Sequence, residues 1–177
     1  HGSASMKLVI DICDQSSIDT ALGNIDDAGI KLTCLINNAG YAQPGPIELI
    51  DDQQVRRQFD VNVFGTLAMT RAVLPRLREQ ASPSRRSLII TMSSMLGLVS
   101  SPYQGIYAAS KHALEGAFSA LRMEVRSQNI DVVLIEPDRW WLGTHPVVER
   151  ADGWAGGTFS QEAPANMVSR AYLKICE

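Results

Sequence analysis

The sequence predicts an α/β fold with a doubly wound parallel sheet, and three observations carry this prediction. Strand-sized apolar runs alternate with helix-length amphipathic segments along the chain. Two of the apolar runs, at residues 32–36 and 130–135, are nearly continuous, as expected for parallel strands covered on both faces. The chain has 177 residues, 45% of them hydrophobic, which suits one domain with a proper core.

The first half of the chain predicts a strand, a helix, a second strand and a long helix. Residues 7–12 form a short β-branched run, and residues 17–25 carry apolar side chains at helical spacing. The apolar run at residues 32–36 predicts the second strand. Asp51 and Asp52 then open the long helix, which ends near Pro75. Its predicted apolar stripe consists of Val55, Phe59, Val63, Leu67 and Leu74.

The second half predicts a strand at residues 87–92, a loop from residue 93 to residue 102, a helix at residues 107–126 and a strand at residues 130–135. After Pro137 the pattern weakens. Residues 138–160 are rich in Gly and Trp with no clear period, and residues 162–174 predict a last helix. Residues 1–5 read as the remnant of an expression tag, and residues 6–177 as one partial domain.

Composition excludes several functional classes. The net charge of −3 provides no basic surface for nucleic acid or for an anionic membrane. The longest apolar runs are too short to span a bilayer. Cys13, Cys34 and Cys176 have no metal-ligand spacing and leave an odd thiol in any disulfide pairing. We therefore expect no metal site and a reducing, cytoplasmic location.

One group of side chains predicts chemistry. Ser94 follows a predicted strand, and Tyr107 and Lys111 lie four residues apart, on one face of the next helix. An ammonium beside a phenol favours the phenolate, so Lys111 is expected to lower the pKa of Tyr107 from about 10. Tyr107 is then a candidate proton donor and acceptor, and Ser94 a candidate for stabilising the substrate oxygen. Taken alone, such a Tyr-Lys pair is more often a surface tyrosine beside a solvated lysine.

Four ordered motifs extend this pattern. Ser94 stands thirteen residues before Tyr107, and Asn37-Asn38-Ala39-Gly40 and Asp60-Val61-Asn62-Val63 lie upstream. Over roughly residues 8–137 the chain resembles a classical short-chain dehydrogenase/reductase. The resemblance implies a Rossmann-like fold and an NAD(P)-dependent oxidoreductase that interconverts a secondary alcohol and a ketone, with Tyr107 as general acid/base. It implies NAD or NADP as cofactor, with NADP slightly favoured, and a small apolar alcohol or ketone as substrate.

The resemblance also assigns residues. Asn62 is expected to disturb its helix and to hold a water that links Lys111 to solvent, although by sequence alone it could be a polar surface position. Asn38, Ala39 and Gly40 are expected to contact the cofactor at the end of a strand, as are Tyr107 and Lys111. Asp11 and Ile12 match the positions that hold the adenine edge, with helix capping by Asp11 as an equal alternative. The helices at 52–80 and 107–126 are expected to form a homodimer or homotetramer.

The sequence departs from the family in two places. No Thr-Gly-x-x-x-Gly-x-Gly turn exists in the chain, so the sheet is expected to be incomplete in its N-terminal half, with residues 32–36 as a bare apolar edge. Pro137 is followed by Asp138 and two tryptophans, where the family has Pro-Gly. These departures leave three hypotheses: part of a working oxidoreductase, a truncated inactive remnant that only associates through its helical face, and a fragment made to study the fold.

Overall fold

A computed structural model describes residues 6–137, and its centre is a three-stranded parallel sheet. The strands are β1 (Cys34–Asn37), β2 (Ser87–Met92) and β3 (Ile130–Ile135), and they lie in the order β1-β2-β3. Leu35 pairs with Ile89, and Ile89 pairs with Val132. The predicted bounds of β2 and β3 are confirmed, whereas β1 begins two residues later than predicted.

Within residues 6–137 four α-helices connect or flank these strands, and the first two begin at capping side chains. They are α1 (Gln15–Asp27), α2 (Asp52–Phe59), α3 (Thr66–Gln80) and α4 (Gly105–Val125). The Asp14 side chain accepts a hydrogen bond from Ser16 N and caps α1. Asp51 forms a capping box with Gln54 at the start of α2, as the acidic pair predicts.

The predicted long helix is interrupted by a π-helical turn over Asp60–Gly65, between α2 and α3. Such turns insert one residue and rotate the following helix face. As a result, the predicted apolar stripe is buried only in part: Val63 and Leu74 are buried, whereas Val55, Phe59 and Leu67 are half-buried. The fully buried positions of this region are Gln58, Asn62, Met69, Val73 and Leu77.

The predicted strand at residues 7–12 is wrong, because this segment pairs with none of the three described strands. It keeps the alternation of a strand: Ile10 and Ile12 are buried in the core, while Val9 is 89% exposed. A strand is defined by its backbone partners, and the described residues offer none beside it. As expected, β1 is an edge strand of the described sheet, while the side chains of Leu32 and Leu35 are buried in one apolar cluster with the segment at residues 7–12.

The sheet is covered on one face by the described residues, which corrects the expectation of strands buried on both faces. Along β2, buried residues alternate with half-buried ones, and along β3 Val133 and Ile135 remain exposed. The core lies between the covered face and the helices, where Ile89, Leu114 and Phe118 are fully buried. Leu114 and Phe118 lie four residues apart on α4, as expected for one buried helix face.

The predicted irregular region at residues 138–160 and the helix at residues 162–174 lie outside the described residues, as does Cys176. Within residues 6–137, no helix is both long and apolar enough to cross a membrane. No cluster of His, Cys, Asp and Glu within the same range could hold a metal ion.

A glycine in the π-helical turn determines how closely residue 12 approaches it. A Cβ atom on Gly65 would lie 2.8 Å from Ile12 Cγ1 and 3.0 Å from the Ile12 carbonyl oxygen. Gly65→Ala should therefore lower the free energy of unfolding by about 2 kcal/mol, since overpacking exceeds the helix-propensity gain of about 1 kcal/mol. Urea denaturation checks this. Gly116→Ala is the control, because its new Cβ meets nothing within 4 Å and only the gain in helix propensity should remain. Equal changes in the free energy of unfolding of the two variants would contradict the close contact between Gly65 and Ile12.

Candidate active site

The predicted site residues come together at the carboxyl ends of β1 and β2, against the first turns of α4. Asn38 follows β1, Ser94 follows β2, and Tyr107 and Lys111 lie on α4. In open parallel sheets, ligands bind in the crevice outside these strand ends. The residues therefore share the edge of the sheet that the fold makes available for chemistry.

The Ser94 side chain lies close to the Tyr107 hydroxyl. Ser94 has an extended backbone and caps the short 3₁₀ turn Met95–Gly97, and its Oγ accepts a hydrogen bond from Leu96 N at 3.2 Å. Burial raises the pKa of Tyr107, and the nearby Ser94 hydroxyl opposes this rise. The expectation that Lys111 acidifies Tyr107 is thus wrong: the Tyr107 pKa lies above its ordinary value.

Lys111 is 6% exposed, and its ammonium reaches the end of β2. Its Nζ donates to the Met92 carbonyl at 2.6 Å and lies 5.7 Å from the centroid of the Tyr107 ring. Burial lowers the pKa of Lys111 to about 8, and the charge of Glu115 opposes that shift. An ammonium has three donors, so two remain for other partners after the bond to Met92.

Asn62 is fully buried in the π-helical turn, which excludes the alternative of a polar surface position. Its Oδ1 accepts from Tyr41 N at 3.0 Å, and its Nδ2 donates to Tyr41 O at 2.9 Å and to Ser110 Oγ at 3.1 Å. The predicted disturbance of the helix is confirmed. Both amide protons are used within the chain, so the side chain fastens the loop after β1 to α4.

The Asn38-Ala39-Gly40 turn faces this group. Asn38 and Gly40 are exposed, and Ala39 packs partly against the core. A Cβ atom on Gly40 would lie 3.1 Å from Asn62 Oδ1 and 3.9 Å from Lys111 Nζ. Gly40 therefore serves close approach rather than a left-handed backbone, because its φ is not positive.

Asp11 and Ile12 lie at the end of the first extended segment. Asp11 is exposed and its Oδ1 accepts from Cys13 N, whereas Asp14 caps α1; the alternative that Asp11 caps this helix is wrong. Ile12 is 2% exposed as a whole residue, and its carbonyl oxygen packs against Gly65.

Several polar residues of this region were not predicted from the sequence. Gln58 is fully buried, accepts from Gln43 N at 2.7 Å and donates to Tyr41 O at 2.7 Å. Its position four residues before Asn62 could have indicated a shared face. Asn37 donates to Thr70 Oγ1 and Thr91 Oγ1, which fixes the end of β1 between α3 and β2.

Comparison with known proteins identifies the class. The profile of the family described as short chain dehydrogenase matches residues 2–139. The chain therefore belongs to the short-chain dehydrogenase family, as its motifs and the arrangement of Ser94, Tyr107 and Lys111 indicate.

One curated relative is a reductase by its name. The chain is 40% identical over 130 residues to a 3-ketodihydrosphingosine reductase of Bacteroides thetaiotaomicron, a match that covers 73% of this chain and 47% of that protein. The chain thus spans about half the length of the curated relatives that it matches.

Two solved structures share the fold. A short-chain dehydrogenase from Burkholderia cenocepacia in complex with NADP is 32% identical, with a TM-score of 0.64 over 73% of this chain and 52% of that one. A 3-ketoacyl-(acyl-carrier-protein) reductase from Brucella melitensis complexed with NADH is 26% identical, with a TM-score of 0.70 over 77% of this chain and 57% of that one.

Proposed function

We propose that this chain carries the catalytic half of an NAD(P)-dependent oxidoreductase that interconverts a secondary alcohol and a ketone. The observation that carries the proposal is the closeness of the Ser94 and Tyr107 hydroxyls, with the buried Lys111 ammonium beside the Tyr107 ring at the carboxyl edge of the sheet. Family membership supports the reaction type.

Each side chain has one task in this proposal. Tyr107 donates its hydroxyl proton to the carbonyl oxygen during reduction and takes it back during oxidation. A pKa above the ordinary value keeps the phenol protonated at neutral pH, ready to donate. Ser94 lies within hydrogen-bonding reach of the same oxygen, where it stabilises the developing negative charge.

Lys111 and Asn62 support these two groups. The Lys111 ammonium provides positive potential near the Tyr107 ring and has two donors left for hydroxyl groups of a ligand. Asn62 holds the loop that places Gly40 beside Lys111. If a water connects Lys111 to solvent, Asn62 can offer it the second lone pair of Oδ1 or a main-chain carbonyl of the π-helical turn.

The described residues fit a nicotinamide cofactor in part. The exposed Asn38–Gly40 turn lies close to Lys111, since a Cβ on Gly40 would be 3.9 Å from its Nζ. Asn38 and the Asp11 carboxylate, which are exposed, are the groups that would hold the cofactor, with Lys111 on its ribose hydroxyls; Ile12, assigned to the adenine edge by the resemblance, is buried beneath them. A bound nicotinamide supplies the hydride. The solved relatives contain NADH in one case and NADP in the other, so we keep both cofactors, with NADP favoured.

An apolar substrate is supported by side chains near Tyr107. Ile47, Leu49 and Leu98 are between 61% and 75% exposed, and the Ile47 side chain lies against Gly105 at the start of α4. The relative that reduces 3-ketodihydrosphingosine, by its name, acts on a ketone of a long-chain compound. We therefore propose an apolar alcohol or ketone as substrate.

Cofactor titration tests the proposal. NADPH or NADH added to the full chain should give saturable enhancement of nicotinamide fluorescence, and Lys111→Met should weaken it by at least tenfold, since the ammonium donates to the ribose hydroxyls. Lys31→Met, at an exposed lysine, is the matched control. No response at millimolar concentrations of either cofactor would contradict binding by this chain.

The alternative is an inactive remnant that only associates with a second copy through α3 and α4. Phe64 and Met123 are 59% and 75% exposed. A Cβ on Gly116 would meet nothing within 4 Å, which leaves room for a facing helix. The remnant hypothesis predicts a dimer in solution and no enhancement of nicotinamide fluorescence. The oxidoreductase hypothesis allows the same dimer but requires the enhancement.

A further inference from the structure

The Lys111 ammonium is a buried charge without a close carboxylate. Its Nζ donates to the neutral Met92 carbonyl, and within residues 6–137 no carboxylate oxygen lies within 4.0 Å of it. Buried charges ordinarily require a compensating charge, because removal from water disfavours the ionised form. The question is which group keeps Lys111 protonated.

Glu115 lies one helical turn after Lys111 on the same face of α4. Its Oε1 atom is buried and has no hydrogen-bond partner among the described residues. A Cβ on Gly97 would lie 3.3 Å from this oxygen, so the carboxylate is held against the 3₁₀ turn that follows Ser94. Oε1 is thus turned toward the 3₁₀ turn rather than into solvent, where glutamate oxygens ordinarily lie.

The other groups around Lys111 cannot replace this charge. Tyr107, on the preceding turn, carries a neutral phenol, and His112 is exposed with its Nδ1 bonded to the Ala108 carbonyl. The end of β2 offers the Met92 carbonyl, and the π-helical turn offers the neutral amide of Asn62. Glu115 is the carboxylate whose charge acts on Lys111.

We propose that Glu115 is a positioning residue whose buried carboxylate keeps the Lys111 ammonium protonated. The inference rests on the proposed function, because it assigns a support for the lysine of that site. It also gives the unpaired Oε1 a role, since a buried oxygen that makes no hydrogen bond is tolerated near a positive charge. The Ser93 hydroxyl, also buried and unpaired, lies on the same side of Gly97 as this oxygen, because a Cβ on Gly97 would be 2.6 Å from Ser93 Oγ.

The test measures the pKa of Lys111 directly by NMR titration of the full chain with isotope-labelled lysine. The chain has four lysines, so the Lys111 signal is assigned by comparison with Lys111→Arg. In Glu115→Gln the pKa should fall by about one pH unit, because a nearby negative charge no longer favours the ammonium. Glu115→Asp keeps the charge and should restore most of the shift.

Glu124→Gln is the matched control, because it removes the same charge from an exposed position on the last turn of α4. It should leave the Lys111 pKa unchanged. An unchanged Lys111 pKa in Glu115→Gln would overturn the proposal. If that variant does not fold, Glu115→Ala removes the charge without burying an amide and gives the same decision.

The titration separates this inference from the proposed function. If the protein turns over, the limb of the kcat/KM profile that reports loss of the Lys111 proton should move down by the same amount in Glu115→Gln. If no form of the protein turns over, the proposed function fails, and the NMR titration still decides whether Glu115 supports the charge of Lys111.

Discussion

Tyr107→Phe is expected to lower turnover about a thousandfold in the active protein and to leave cofactor affinity within about twofold. The substitution removes one hydroxyl, the atom that exchanges a proton with the substrate oxygen, and general acid–base catalysis typically contributes 10² to 10⁴ in rate. The ring stays in place, so its packing and its position 5.7 Å from the Lys111 ammonium are retained. Steady-state kinetics and nicotinamide fluorescence on the same samples check both parts.

Tyr103→Phe provides the control for this experiment. Tyr103 lies in the turn before α4, four residues before Tyr107, and is 67% exposed. Its variant should turn over at the normal rate. If Tyr107→Phe kept more than about a tenth of the turnover, the proton would have another donor and Tyr107 would lose its proposed role.

The parts of the site that could be predicted from sequence are those set by the ends of regular elements. Ser94 follows β2, whose apolar run gave its bounds without error, and Tyr107 lies in the first turn of an amphipathic helix. Parallel strands share one carboxyl edge, so their following residues meet once the strands are located. The ordered motifs of the family resemblance then assigned Asn62 and the Asn38–Gly40 turn to the site, which residue spacing alone does not do.

The buried polar residues could not be predicted, because their burial depends on partners distant in sequence. By sequence alone Asn62 could be a polar surface position, and only the family resemblance assigns it to the site; Gln58 matches no motif. In the structure both are fully buried, because the backbone of Tyr41 supplies hydrogen bonds to each. Residue periodicity alone does not indicate a π-helical turn, which shifts the buried face within an otherwise regular pattern.

The electrostatics of Tyr107 show the same limit. The i, i+4 spacing places Lys111 beside it and predicts a lower pKa, but spacing says nothing of how deeply each group is buried. Desolvation raises the pKa of Tyr107 and lowers that of Lys111 to about 8, so both groups are shifted toward their neutral forms. The strand predicted at residues 7–12 failed for a related reason, since its alternation is real but its hydrogen-bond partner is not among the described residues.

Asn62→Ala should lower the free energy of unfolding by about 3 kcal/mol, because three hydrogen bonds are lost at about 1 kcal/mol each. For a chain of this size the midpoint of thermal unfolding should fall by about 6–12 °C. Turnover should fall as well, since the loop that places Gly40 beside Lys111 is no longer fastened to α4.

The matched variant is Asn38→Ala, at the other asparagine assigned to the site. Asn38 is exposed, so its replacement should change stability by less than about 0.5 kcal/mol and should instead weaken cofactor binding. Thermal unfolding and fluorescence titration of the two variants therefore separate the asparagine that builds the site from the one that contacts the ligand. Equal melting temperatures in the two variants would mean that the Asn62 bonds to Tyr41 and Ser110 contribute nothing, and the site would need another explanation for its rigidity.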